Sequence, residues 1–353
     1  MKTRSIILVA AASLLIASCG PKVSDKTTEV TGRLGNDAPE SVDIIIKASN
    51  FSKRVSVQNG EFKVEIPKDV INMAQLKAGS VTGSFVSDGT PLTITFNEDK
   101  SLNVVSKVPK KSVQAKFDAF NKAMIDIQNK FQPQIEAATD EATEDQLYDS
   151  FQNEVKNLCL ATVKDNNNNV AAVAAIDNLR YLLSNDQMDS VLTTLDTALA
   201  KVKTISSLTK TVAARKRTAE GQKFTDFTIN DQKLSDYVGK GKYILVDFWA
   251  SWCGPCKAEL PNIKNVYQKY AGPDFDVLSV AVWDKSKDTE KAAKELGITW
   301  NQIINAQSVP TTLYGIDGIP HIILFGPDGT ILKRDLRGDD IEAEVAKHVK
   351  PVK

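Results

Sequence analysis

The stretch "YILVDFWASWCGPCKAELP", residues 243–261, leaves the chain around it little freedom. Tyr243 to Trp249 is a strand-like run, apolar apart from Asp247, and a strand of that kind belongs inside a sheet. It leads into Cys253-Gly254-Pro255-Cys256, where a helical pattern begins at once. Gly254 permits a tight approach, and Pro255 suits the first helical turn, where its missing N–H had no internal partner. Pro261, inside the helical pattern, removes one backbone bond and is expected to kink the axis. Downstream, "FDVLSVAVW" reads as a second inner strand and "KDTEKAAKELG" as a helix stopped by Gly297. "HIILFGPDGTILKRD" reads as a hairpin around Pro327 to Gly329, followed by a helix in "DDIEAEVAKHV". With an extended lead-in and a short helix before Gly239, residues 221–350 form an α/β layer, a central mixed sheet flanked by helices.

The other residues carry different textures, and 353 residues suggest two or three domains. Residues 28–106 hold short β-rich runs, with Asn59-Gly60 between two of them as a hairpin signal and "GTPLTITFNEDKSLNVV" as a second strand pair. This predicts a small antiparallel β-sandwich or barrel. From 111 to 218 the period changes: Val113, Phe117, Phe120, Met124, Ile127 and Phe131 form a helical stripe, and similar stripes recur up to "MDSVLTTLDTALAKV". The helices either hold the flanking domains at a fixed separation or pair with another subunit, which would make a homo-oligomer. Lys plus Arg and Asp plus Glu number 44 each, so no broad field draws the chain to nucleic acid.

At the amino terminus, Lys2 and Arg4 precede an apolar run from Ile6 to Ala17, shorter than the roughly 20 residues that span a bilayer. "IASC", residues 16–19, resembles the lipobox of bacterial lipoproteins. That resemblance implies a signal peptide at 1–18, lipidation of Cys19, a tether at 19–27 and a lipid-anchored place in the cell envelope, facing the periplasm. Disulfides persist there, so a protein that works with reduced thiols needs a supply of electrons. Cys159, among aliphatic neighbours in "VKNLCLATV", reads as a buried packing thiol.

A close cysteine pair can bind metal, form an inert bridge or exchange disulfides. Structural zinc wants four ligands, commonly two such pairs, and this chain has one pair with only His321 and His348 besides. An inert bridge needs neither Trp252 nor a Gly-Pro helix start. Exchange fits better: a helix beginning at Cys253 turns unsatisfied N–H groups toward its sulfur, favouring the thiolate and lowering a pKa of about 8.5 into the range of roughly 3.5 to 7.5. Cys256, three residues on, can resolve a mixed disulfide. The chain has no Gly-rich dinucleotide fingerprint, so no cofactor is expected.

"VDFWASWCGPCK" resembles the active-site segment of thioredoxins, and "CKAELP" is similar to the anchored TlpA/ResA-type thiol-disulfide oxidoreductases. The preceding β-region, through "NGEFKVEIP" and "DGTPLTITF", resembles the domain found before the redox domain in exported Bacteroidetes-type proteins. The resemblance implies that Cys253 is the exposed nucleophile and Cys256 the buried resolving thiol, with Asp247 and Glu259 managing the Cys256 proton. It also implies a cis proline facing the dithiol. "SVPTT" copies the letters of that segment at Pro310, but only Pro320, in "GIPHIILF", leads into a buried strand and a Gly-turn hairpin. Ile319, His321, Trp252, Gly254, Pro255 and Trp283 would then border the substrate groove. The implied activity is reduction of disulfides in exported proteins, with an envelope thiol donor restoring the pair. The alternatives are a thiol peroxidase on the same scaffold and a non-catalytic envelope scaffold. Peroxiredoxins place a Thr or Ser three residues before the attacking Cys and a Pro seven before it, where this chain has Ala250 and Val246.

Overall fold

The structure, a computed structural model, describes residues 23–35, 38–97 and 101–352. The expected signal peptide and Cys19 lie outside these residues. The chain divides into two compact units, Met1–Leu179 and Arg180–Lys353. That division falls inside the stretch 111–218 read above as one helical region.

In the first unit, β1 (Thr27–Arg33), β2 (Ser41–Ile46), β3 (Phe51–Ser56), β4 (Glu61–Pro67), β5 (Asp69–Ala78), β6 (Val81–Ser87), β7 (Leu92–Phe96) and β8 (Leu102–Ser106) precede α1 (Val113–Glu136), α2 (Glu141–Asp165) and α3 (Val170–Leu179). The strands form two four-stranded sheets, ordered β4-β1-β7-β8 and β3-β2-β5-β6. Both contribute to one core, with Val30, Phe62 and Ile94 from the first and Ile44, Leu76 and Phe85 from the second. The sheets do not close on themselves, so the barrel alternative is set aside, and β1 pairs with β7 in parallel, which corrects the expected wholly antiparallel arrangement. Asn59 and Gly60 make the expected turn, with φ of 51° and 75° and reciprocal bonds of 2.9 Å between Gln58 and Glu61. The strands on either side of it nevertheless part into different sheets, β3 pairing with β2 and β4 with β1. A side chain at Gly60 would meet the Gly35 carbonyl oxygen at 2.3 Å.

The second unit opens with α4 (Asn185–Leu192), α5 (Thr197–Ala200) and α6 (Lys203–Arg217), then the short strands β9 (Thr228–Ile229) and β10 (Gln232–Lys233). The α/β layer follows: β11 (Tyr243–Trp249), α7 (Gly254–Tyr270), β12 (Phe275–Ala281), α8 (Ser286–Glu295), β13 (Asn301–Ile303), α9 (Val309–Tyr314), β14 (His321–Phe325), β15 (Ile331–Lys333) and α10 (Asp339–Ala346). The sheet order is β13-β12-β11-β14-β15. β11, β12 and β13 are mutually parallel, and β14 and β15 run antiparallel to their neighbours. Segment 221–224 lies along β15: Gly221 and Phe224 donate to the Ile331 and Gly329 carbonyls at 2.8 and 2.9 Å, and Ile331 donates to Gln222 at 2.8 Å.

Alternation along β11 sorts its side chains between two apolar layers. Leu245 and Trp249 face the layer built with Leu260 and Ile263 of α7 and Ile341 of α10. Ile244, Val246 and Phe248 face the opposite layer, with Phe227, Leu234 and Tyr314. Asp247 shares parity with Leu245 and Trp249, which puts a carboxyl on the α7 side of the sheet. Ser279, its register partner on β12, lies beside it.

Candidate active site

Cys253 caps α7. Its backbone is extended, with φ −79° and ψ 104°, and its Sγ accepts the Cys256 N–H at 3.1 Å. The free N–H groups of the first helical turn therefore point at this sulfur. Cys253 and Cys256 are joined in a disulfide, their Cα atoms 5.3 Å apart. The two are 3% and 2% exposed, which corrects the expectation of an exposed Cys253 beside a buried Cys256. The cause is packing: Cys253 belongs to the apolar layer of Trp249, Ala250 and Leu260, with Ile319 against it. Gly254 is exposed, and a side chain there would meet no atom within 4 Å. Its openness is toward solvent, so the tight approach expected at this glycine does not come from the chain's own atoms. Pro255 occupies the first turn of α7 and Pro261 lies within the helix, which continues to Tyr270.

The Ile319–Pro320 peptide bond is cis. Cys253 Sγ lies 3.7 Å from the Ile319 carbonyl oxygen, and among the described residues nothing accepts the Ile319 N–H. Pro310 sits in the first turn of α9. On the other side of the dithiol, Trp252 is 60% exposed and its indole N–H donates to the Trp283 carbonyl at 3.0 Å. Trp283, at φ 52°, turns the chain after β12. Next to it, Asp284 is buried and accepts from Ser251 N, Lys285 N and Thr289 Oγ1 at 2.6, 2.8 and 2.9 Å. Burial opposes its ionisation, but these donors outweigh it and hold the carboxyl below its ordinary pKa.

Asp247 lacks such help. It is 1% exposed, its Oδ1 has no partner, and its Oδ2 is 3.5 Å from Ser279 Oγ. Burial pushes its pKa up to about 7, with Ser279 and the Arg337 charge pulling down and the Glu259 charge adding to the rise. The Ser279 hydroxyl accepts the Trp300 indole N–H at 2.9 Å, leaving its own proton to point at Asp247. Glu259 Oε2 accepts from Asn262 Nδ2 and from the Gly338 N–H, both at 3.0 Å. Arg337, in the same loop as Gly338, donates from Nη2 to the Pro320 carbonyl. One loop thus ties the helix that bears the dithiol to the segment that carries the cis proline.

His321 Nδ1 lies 3.2 Å from Asp335 Oδ1 and its Nε2 lies 3.4 Å from Arg334 Nη2. Burial holds this imidazole below its ordinary pKa against the pull of Asp335. A neutral ring with its proton on Nδ1 satisfies both neighbours. Asp335 is in turn held down at about 2, first by the His321 bond and then by charges including Arg337.

The fold brings Cys253, Cys256, Ile319 and Pro320 together and sets Asp247 on the dithiol side of the sheet. Trp252 stays exposed and is tied by its indole N–H to the Trp283 carbonyl. Ser279, Trp300, Arg337 and Gly338 were not among the residues singled out from sequence. Ser279 had a signal, a lone hydroxyl at an inward position of an apolar strand. Arg337 and Gly338 had none, because the residues they serve lie 17 and 79 positions away.

The AhpC/TSA family model matches residues 220–334. Thiol-disulfide oxidoreductase ResA of Geobacillus thermodenitrificans is 29% identical over 140 residues, 38% of this chain and 79% of that protein. The Bacillus subtilis ResA is 25% identical over 124 residues, 34% of this chain and 68% of its own length. The crystal structure of the thioredoxin domain of a Bacteroides vulgatus thiol-disulfide oxidoreductase is 34% identical, covering 37% of this chain and 99% of that one, with a TM-score of 0.34. This chain is a thioredoxin-superfamily thiol-disulfide oxidoreductase related to ResA. The likeness covers little more than a third of it. In the oxidoreductase domain, Ala250 and Val246 stand three and seven residues before Cys253, and both are fully buried.

Proposed function

We propose that the chain is an envelope protein-disulfide reductase acting on exported proteins, anchored through a lipid on Cys19. What supports the reaction is the Cys253–Cys256 pair at the start of α7, with Cys253 Sγ 3.7 Å from the carbonyl before a cis proline. In the reduced pair, the Cys253 thiolate attacks one sulfur of a client disulfide; a Cys253–client bond forms and the other client sulfur leaves as a thiolate. Cys256, losing its proton, attacks Cys253 Sγ, closing the intramolecular disulfide and releasing the second client thiolate. Two electrons pass to the client. A separate envelope dithiol then restores the pair by the same exchange. Asp247, its pKa pushed up to about 7, accepts the Cys256 proton, and Glu259 supports that transfer.

Trapping tests this directly. Cys256→Ala is expected to accumulate mixed disulfides between Cys253 and exported proteins in the native envelope, and Cys253→Ala to accumulate none. A redox titration that places the couple among strong oxidants would reverse the direction of electron flow. The AhpC/TSA match over residues 220–334 makes peroxide consumption by the reduced protein a necessary control, with no turnover expected.

A further inference from the structure

Beside the cis bond the second unit opens a cleft of about 660 Å³. Gly318 to His321 line it together with Arg334, Asp335 and Arg337, and with Arg215 from the end of α6. Each carboxylate at the cleft is already engaged by a cation. Asp317 accepts from Arg215 and Arg180 at 2.9 and 3.3 Å, Glu220 lies 3.2 Å from Lys333 Nζ, and Asp335 holds His321 and Arg337.

Arg334 differs. Its guanidinium donates to the Thr218 carbonyl, Thr218 Oγ1 and the Tyr314 carbonyl at 2.8, 2.7 and 2.7 Å, all neutral acceptors. Among the described residues it makes no salt bridge. Burial and the neighbouring Arg215 charge pull its pKa down, against the pull of Tyr314 and of the Asp335 and Glu220 charges. Three carboxylates at the cleft, Glu220, Asp317 and Asp335, thus stand against Arg215, Arg334 and Arg337 of the lining together with Arg180 and Lys333 paired to them, an excess of positive charge beside the Ile319 backbone. Arg215 precedes residue 220, where the family match begins, so this part of the lining is supplied by the chain's own preceding helix.

We infer that the cleft receives an acidic segment of the client polypeptide flanking its disulfide, drawn by the charges of Arg334 and Arg215, whose donors stay engaged within the chain; this rests on the reductase reading above.

The test compares two synthetic peptides with the same intramolecular disulfide, one flanked by Glu and one by Lys, reduced by the full chain in stopped flow. The Glu peptide is expected to react about tenfold faster at low salt, the ratio that ~1.4 kcal/mol provides. That ratio should shrink toward one in about 1 M salt. In Arg215→Gln it should fall roughly threefold, and Arg215→Lys should keep most of it. Because the ratio is taken within each protein, a general loss of rate cancels. Equal rates for the two peptides in the parent chain, with reduction intact, would overturn the proposal. A chain that reduces neither peptide yet binds a disulfide-free Glu peptide in preference to its Lys counterpart, by fluorescence anisotropy, would support the cleft and defeat the reductase reading. No preference in that binding assay would remove the acidic-segment proposal as well.

Discussion

Asp88 and Asp247 lie one in each unit, 4% and 1% exposed, and their surroundings differ in kind. Asp88 accepts from Thr90 N, Thr90 Oγ1, Ser112 Oγ and Gln114 N at 2.9, 2.5, 2.6 and 3.0 Å. Those bonds fasten the start of α1 to the turn after β6. Asp247 has one long contact and an oxygen with no partner. A buried carboxylate supplied with donors is a fixed part of the structure; one denied them holds its proton to an unusually high pH and can exchange it. The free cysteine repeats the contrast. Cys159, in the helices of the first unit, is fully buried, and desolvation pushes its thiol up to about 11, whereas Cys253 sits on a helix N-terminus.

Exchanging the roles of these groups gives the sharpest tests. Cys253→Ser should lower protein-disulfide reduction by on the order of a thousandfold or more, since no other sulfur can replace the attacking one. Cys159→Ser should leave the same coupled assay within about twofold; a tenfold loss would break the division between packing thiol and reactive thiol. Asp88→Ala leaves four donors without their acceptor and should cost the first unit about 3 kcal/mol. All four tryptophans lie after residue 180, so this loss is best followed by hydrogen exchange at the amides of α1.

Asp247→Asn should act in the opposite direction on the second unit. A carboxyl whose folded pKa is near 7, against an ordinary value of about 3.9, gives stability that is complete below pH ~4 and is lost as pH rises through 7. Removing the charge should therefore stabilise the unit at pH 8 by about 2 kcal/mol, a gain that disappears toward pH 4, read by tryptophan fluorescence in urea. The same variant should slow client release, because the Cys256 proton loses its acceptor. Equal stability changes at both pH values would undo the contrast with Asp88. Gly254→Ala should have the smallest effect, within about 0.5 kcal/mol of the parent or slightly stabilising, since nothing crowds the position. A loss of rate with polypeptide clients alone would then locate a client contact at that surface.

The strand, dithiol and helix at 243–270 were legible because apolar period, cysteine spacing and helix-start chemistry agree within one continuous stretch. The turn at Asn59-Gly60 was legible for the same reason, its left-handed φ values being local. Which sheet each flanking strand joins was not, since β4 pairs with β1, some 30 positions upstream and invisible to a local signal. The burial of Cys253 left no local signal because it depends on Ile319 and Trp249 packing around it. Helical periodicity along 111–218 showed that helices form there but not which core each completes. The tie from Arg337 to Pro320 joins a loop to a strand entrance and leaves no pattern in either segment.

The segment 221–224 along β15 has a further consequence. It caps one lateral border of the five-stranded sheet, and at the opposite border β13 is only three residues long. Neither border offers a long row of open amides to a passing chain, which guards against edge-to-edge aggregation. Beside the Cys253 sulfur, by contrast, the Ile319 N–H has no acceptor among the described residues.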